Sequence, residues 1–223
     1  MFFIWLSESY MKNMDLVTFE TGVISSLYLH ELRWLCTNIK RNTELLFAGC
    51  KIPDTGYVLQ VAPEMHSIIS SILSDAANIK KISITAGAKL NGENSERHKL
   101  RLSRAAAVSD FLKGIDIVEM FKVKVRNTLE HFDEYLDESN IELTKRPAGT
   151  RAAYNLIISH WEATAPRLYP IRLYVSSERK FYNMKWVVDI GLIAVEANSI
   201  LKKFAAEDIL GDLDEPGGLM IAV

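Results

Sequence analysis

Cysteine is nearly missing from this chain: Cys36 and Cys50 are the only two in 223 residues, and no C-x-x-C spacing joins them. That excludes a disulfide framework and a cysteine-built zinc site. No stretch approaches the roughly 20 consecutive apolar residues that a membrane helix needs. The apolar start Met1-Phe2-Phe3-Ile4-Trp5-Leu6 is broken by Ser7 and Glu8 and lacks the basic beginning of a secretory leader, so a cytoplasmic protein is expected. Neither sign of charge dominates. Lys and Arg number 26 against 28 Asp and Glu, a net charge of −2, which excludes a wholesale positive coat for nucleic acid but leaves room for a local basic patch. Gly87 and Gly92 form neither G-x-G-x-x-G nor G-x-x-x-x-G-K-[ST], and no G-x-S-x-G nucleophile turn is present. His30 and Glu31 have no second ligand pair at metal spacing, so neither metal nor cofactor is expected. There is no internal repeat and no low-complexity segment.

What is there is ordinary globular material, with 48% hydrophobic and 24% charged residues, enough for one domain with a substantial core. Asp15 is placed to cap a long helix running to Phe47-Ala48 with Gly49 as its stop, and Arg41-Asn42-Thr43 as a point of kinking or division. Pro53, Asp54 and Gly56 mark a turn region. Pro63 suits the first turn of a helix through about Asn78, on which His66 reads as a surface or satisfied histidine. Ile82-Ser83-Ile84 is a candidate short strand within a loop. Asn94 or Ser95 caps the next helix, which ends near Lys113-Gly114. Beyond Pro147 and Gly149 the pattern changes to strands: Tyr154–Ser159, Pro170–Val175 and Phe181–Val188, with a turn at Ser176–Lys180. Asp189 caps a last helix through about Phe204, followed by an acidic tail expected to fray. The expected architecture is a mainly α helical bundle with a small antiparallel β unit before a C-terminal helix. Its parts are a helical core at about 15–140, a β elaboration at about 151–188 and the last helix at about 189–206.

Residues 118–138 carry the functional signal. Val118, Phe121, Val125, Leu129, Phe132 and Leu136 recur at steps of three and four and predict one continuous amphipathic helix. At about 100° per residue, Asn127, His131 and Glu134 fall opposite that stripe and Arg126 on its flank. A histidine aimed away from the core is either solvated or placed at a groove or subunit contact. The run Arg126-Asn127-Thr128-Leu129-Glu130-His131 resembles the Arg-(polar)-x-x-x-His signature of the HEPN superfamily, small helical domains of prokaryotic defence and toxin systems. The resemblance implies a helical bundle with the motif on a late helix, and a homodimer whose two motifs form a metal-independent ribonuclease site. It further implies an antitoxin or a nucleotidyltransferase-like partner. Arg126, Asn127 and His131 are its implied catalytic residues. Asp133 stands where some subfamilies carry a tyrosine, so the chain is not assigned to those, and a minimal bundle of this kind has no need of the β unit.

Chemically, His131 would be the general base or acid when a 2′-hydroxyl attacks its neighbouring phosphate. Arg126 would hold the phosphate oxygens through paired N–H bonds, and Asn127 would orient the imidazole or bind a substrate oxygen. Arg126 and His131 are about 140° apart on a helix, which is why a twofold-paired site is expected. Arg97, Arg101 and Arg104, with Lys122 and Lys124, would supply a positive groove for RNA, the alternative being solvated helix faces. The other reading of the motif is a charged face with Arg126 paired to Glu130, in a non-catalytic dimeric interaction or regulatory module.

Overall fold

Residues 16–122, 124–164 and 168–207 are described in the computed structural model, residues 16–25 by their backbone alone. Among them lie helices α1 (Leu16–Gly49), α2 (Pro63–Ser83), α3 (Ser95–Leu112), α4 (Lys124–Glu130), α5 (Phe132–Thr144) and α6 (Ile190–Ala206). The strands are β1 (Leu59–Gln60), β2 (Arg151–Ile158), β3 (Leu168–Val175), β4 (Lys180–Asn183) and β5 (Trp186–Asp189). Asp15, the expected first cap, and the acidic tail beyond Glu207 fall outside the described residues. None of the described helices is long and apolar enough to cross a membrane.

Several local expectations are met for the reasons given. Asn94 Oδ1 accepts the backbone N–H of Arg97 at 2.8 Å, Gly114 follows α3 at φ +85°, and Asp189 Oδ1 accepts Leu192 N–H at 2.9 Å. The polar triplet at 41–43 does not divide α1, which runs on through it; the Thr43 hydroxyl satisfies itself on the carbonyls of Ile39 and Lys40 at 2.9 Å each. Ile82-Ser83-Ile84 is no strand: α2 continues through Ser83, whose hydroxyl bonds the Ile79 carbonyl, and Ile84 N–H still reaches Lys80 O at 2.9 Å.

The expected helical bundle with a small antiparallel unit is overturned. The fold is α/β, with a five-stranded mixed sheet ordered β1-β2-β3-β4-β5. β1 adds an edge strand from the region read as a turn, and the run Phe181–Val188 is two strands joined at Met184-Lys185. At the centre β2 and β3 are parallel, Arg151 opposite Leu168 and Ile158 opposite Val175. Positions 159–167 alone separate them, fewer than the dozen or so residues a parallel crossover usually takes.

The chain forms two compact units. Of the described residues, the first comprises those up to Thr37, Asn78–Asp116 and those from Ala197 on. Its buried apolar residues include Leu32, Leu35, Val108, Phe111, Ile200 and Phe204, with the Phe111 and Phe204 rings 4.4 Å apart. Arg101 fastens its loop. All five N–H donors of that guanidinium are taken, by both Glu93 oxygens at 2.8 Å, the Ala86 and Ala88 carbonyls at 2.6 and 2.9 Å, and Thr85 Oγ1. Those bonds, then the Leu90 amide, hold the Glu93 carboxyl down at about 2, against an ordinary 4.5. A carboxyl depressed on folding contributes stability that is present above pH 4.5 and lost as pH falls from 4.5 towards 2. Urea unfolding against pH should therefore show a drop across that window in the wild type and a shallower one in Glu93→Gln. Parallel curves for the two proteins would remove Glu93 as the cause.

The second unit comprises Asn38–Ala77 and Ile117–Glu196 and contains the whole sheet. One cluster joins Ala153, Ile158, Leu173 and Val175 with Trp161 and Tyr182, and another joins Tyr169, Ile171 and Met184 with Tyr135 and Leu143 of α5. Along β3, residues 169 and 171 thus serve one cluster and 173 and 175 the other, although strict alternation would keep all four on one face. The reversal occurs at Arg172, which has φ +57°. Its counterpart on β2, Asn155, has φ +53°. The two residues occupy the one rung missing from the ladder between Tyr154–Ile171 and Leu156–Leu173.

Candidate functional site

The predicted motif helix is interrupted twice. Residues 118–122 are not helical; the first three of their amides are held by Glu196, whose Oε1 accepts Val118 and Glu119 N–H at 2.8 and 2.7 Å and whose Oε2 accepts Met120 N–H at 2.8 Å, while Lys122 N–H turns back to Glu119 O at 3.0 Å. α4 then ends at Glu130, and His131 leaves helical geometry at φ −98°, ψ 48° before α5 begins. Val118, expected inward, is 55% exposed, whereas Val125 is buried. His131 is exposed and Asn127 half-buried. Arg126 is mostly enclosed, its side chain 20% exposed, and forms an ion pair with Glu130 one turn on.

Arg126 lines an open cleft of about 620 Å³ in the second unit; His131 does not. α4 contributes Arg126, Leu129 and Glu130. α2 contributes His66, Ser67, Ser70 and Ser74, and the sheet contributes Asn155, Arg172 and Phe181. The α2 residues form a polar stripe because they recur at three- and four-residue steps, while Ile69, Ile72, Leu73 and Ala76 on the remaining face are buried. Ser67 and Ser70 donate back to the Pro63 and His66 carbonyls at 3.1 and 3.0 Å, so the donors left for a ligand are chiefly the guanidiniums. The Arg172 guanidinium lies 4.2 Å from the Phe132 ring centre, a cation–π contact that leaves its N–H edge available.

Six buried side-chain atoms among the described residues have no hydrogen-bond partner within the protein. Three of them, His66 Nε2, Arg126 Nε and Asn155 Oδ1, belong to residues lining this one cleft. Burial lowers the pKa of His66 from its ordinary 6.5, the Asn155 backbone carbonyl opposes that shift, and the charge of Arg172 adds to it. The net effect favours neutral imidazole at neutral pH.

None of the five expected RNA-binding cations is in the lining of the cleft that Arg126 enters. Arg97, Arg101 and Arg104 belong to the first unit, Lys122 and Lys124 to the second. Arg101 has no donor to spare, as described above. Arg97 is exposed; Arg104 sits 5.3 Å over the Tyr28 ring and donates to Lys81 O at 3.4 Å. Lys122 pairs with Glu119 at 2.5 Å, and Lys124 lies 5.6 Å from the Trp186 ring centre. A second depression, of about 410 Å³, lies in the first unit against Tyr28, Leu90, Arg97, Leu100 and Arg104. It holds no histidine, and the cleft in the second unit is therefore the better candidate for proton-transfer chemistry.

His66, Asn155 and Arg172 were missed by the sequence reading. Their signals are visible in hindsight: a serine stripe beside a histidine on α2, and a lone amide and a lone cation inside the otherwise apolar runs Ala153–Ile158 and Ile171–Val175. Among the described residues no group of three or more His, Cys, Asp or Glu side chains is arranged to hold a metal ion. Comparison with family models, with curated proteins and with solved structures finds no match to this chain.

Proposed function

We propose that the protein is a metal-independent ribonuclease, acting as a homodimer, in which Arg126 holds the phosphate and His131 transfers a proton. The observation that carries this reading is the presence of two arginines, Arg126 and Arg172, in the lining of one open cleft within a chain of nearly balanced charge. Two arginines at one site match the oxygens of a phosphodiester and oppose the charge that grows on them during transesterification. The exposed His131 is absent from the lining of the cleft that Arg126 enters, and in this reading it is a second copy that brings the histidine to the phosphate. The HEPN-like spacing of Arg126, Asn127 and His131 supports the same assignment; the mixed sheet departs from the simplest form of that family.

The experiment is cleavage of total RNA in EDTA by the wild type, His131→Ala and Arg126→Ala, with the oligomeric state followed by light scattering. Each substitution should lower the cleavage rate at least 100-fold while leaving the dimer intact, in line with the loss of a proton-transfer group or a charge-stabilising donor. Equal cleavage by all three proteins removes the assignment. An inactive wild-type dimer favours the second reading, a non-catalytic interaction module. The ion pair that Glu130 already makes with Arg126 is the observation on that side.

A further inference from the structure

The left-handed pair in the middle of the sheet is the least expected feature of the fold. Asn155 and Arg172 face each other across parallel strands at φ +53° and +57°, and each gives up regular strand geometry at the same rung. A left-handed arginine carries a steric penalty, since its Cβ crowds the following carbonyl, and such strain persists only where the surroundings impose it. Here it reverses the alternation of both strands and brings both residues to the lining of the cleft, beside His66 and Arg126. The three unpartnered buried atoms are chemically complementary to one ligand. Arg126 Nε needs an acceptor, Asn155 Oδ1 needs a donor, and neutral His66 Nε2 can take a proton from a hydroxyl.

We propose that His66, Asn155 and Arg172 form, together with Arg126, a ribonucleotide phosphate site in which His66 is the proton acceptor. Arg172 and Arg126 hold the phosphate oxygens, and Asn155 accepts a hydrogen bond from the sugar or base. The binding part stands on the cleft alone; the cleavage part rests on the ribonuclease reading. In that step the 2′-hydroxyl gives its proton to His66 Nε2 as its oxygen bonds to phosphorus. The bond from phosphorus to the 5′-oxygen breaks, and that oxygen takes a proton from protonated His131 of the partner subunit. The products are a 2′,3′-cyclic phosphate and a 5′-hydroxyl, with one histidine ending protonated and the other neutral. Glu130, the anionic group of the cleft, competes with the phosphate for Arg126.

Glycine substitutions test the site without endangering the fold, because glycine accepts a left-handed φ without strain. Binding of cytidine 3′-monophosphate is measured by calorimetry and by the NMR signals of the His66 ring. Wild type should bind with a shift of those signals; Arg172→Gly should bind at least 10-fold more weakly and Asn155→Gly several-fold more weakly, neither with a lowered Tm. Glu130→Gln should bind several-fold more tightly. Wild-type affinity in both glycine variants, or a His66 ring that does not respond to the nucleotide, overturns the site. His66→Gln should bind within a few-fold of wild type yet lose RNA cleavage. If it cleaves normally while His131→Ala does not, His66 is not the acceptor. Nucleotide binding that depends on Arg172, in a protein that cleaves no RNA, upholds the site and rejects only the ribonuclease reading.

Discussion

Glu196→Ala should destabilise the protein by about 3–5 kcal/mol, the cost of removing one partner from a buried charged network. The carboxylate is buried on α6 and is the only acceptor described for three successive amides, those of Val118, Glu119 and Met120. Hydrogen bonds to a charged acceptor contribute about 1.5–3 kcal/mol each, and orphaned buried donors forfeit their hydration as well. Two of the three bonds are buried; the Val118 amide, on a half-exposed residue, can turn to water. The loss is therefore smaller than three full bonds. A fall in Tm of roughly 10 °C corresponds to this range for a chain of this length. Glu196→Gln keeps the shape but points an NH2 group at one of the amide donors, so it should recover only part of the loss. Urea midpoints for the two variants within about 0.5 kcal/mol of wild type would show that the 118–120 turn holds itself.

The same carboxylate belongs to what the sequence could not show at 118–122. The apolar steps Val118–Phe121–Val125 are helical in period, and nothing within a local window reveals that an acceptor 78 positions away in the chain takes the first amide. Caps made by neighbours were legible, as at Asn94 and Asp189, because the capping side chain lies within three residues of the amide it bonds. The direction of β2 against β3 was illegible for a different reason. Strand periodicity reports which residues are strands, not how they pair. The candidate site divides along the same line. Arg126 was found because it sits in a contiguous motif, whereas His66, Asn155 and Arg172 come from three separate elements and meet only through the fold. Arg97, Arg101 and Arg104 show the reverse case: a basic run that reads as a nucleic-acid face contains, at Arg101, a buried clamp for residues 85–93.

Asn183→Ala should lower stability by about 2–3 kcal/mol, and most of that cost should depend on which residue stands at 172. Asn183 is buried at the end of β4. Its Nδ2 donates to Thr128 Oγ1 of α4 at 2.6 Å, and its Oδ1 accepts the Arg172 amide at 3.2 Å. Thr128 in turn donates to the Val125 carbonyl at 2.5 Å, so one asparagine links the strained rung of β3 to the helix that carries Arg126. With Asn183 removed, the left-handed amide at 172 loses its acceptor and arginine has reason to relax towards ordinary strand geometry. Glycine at 172 has no such strain to relieve. In a double-mutant cycle the cost of Asn183→Ala should therefore be at least 1 kcal/mol smaller beside Arg172→Gly than in the wild type. Equal costs in the two backgrounds would mean that Asn183 acts on Thr128 alone. The single variant should also bind cytidine 3′-monophosphate several-fold more weakly although Asn183 is not among the residues lining the cleft. Its effect then runs through the backbone of Arg172, the point at which sheet geometry and ligand chemistry depend on the same hydrogen bond.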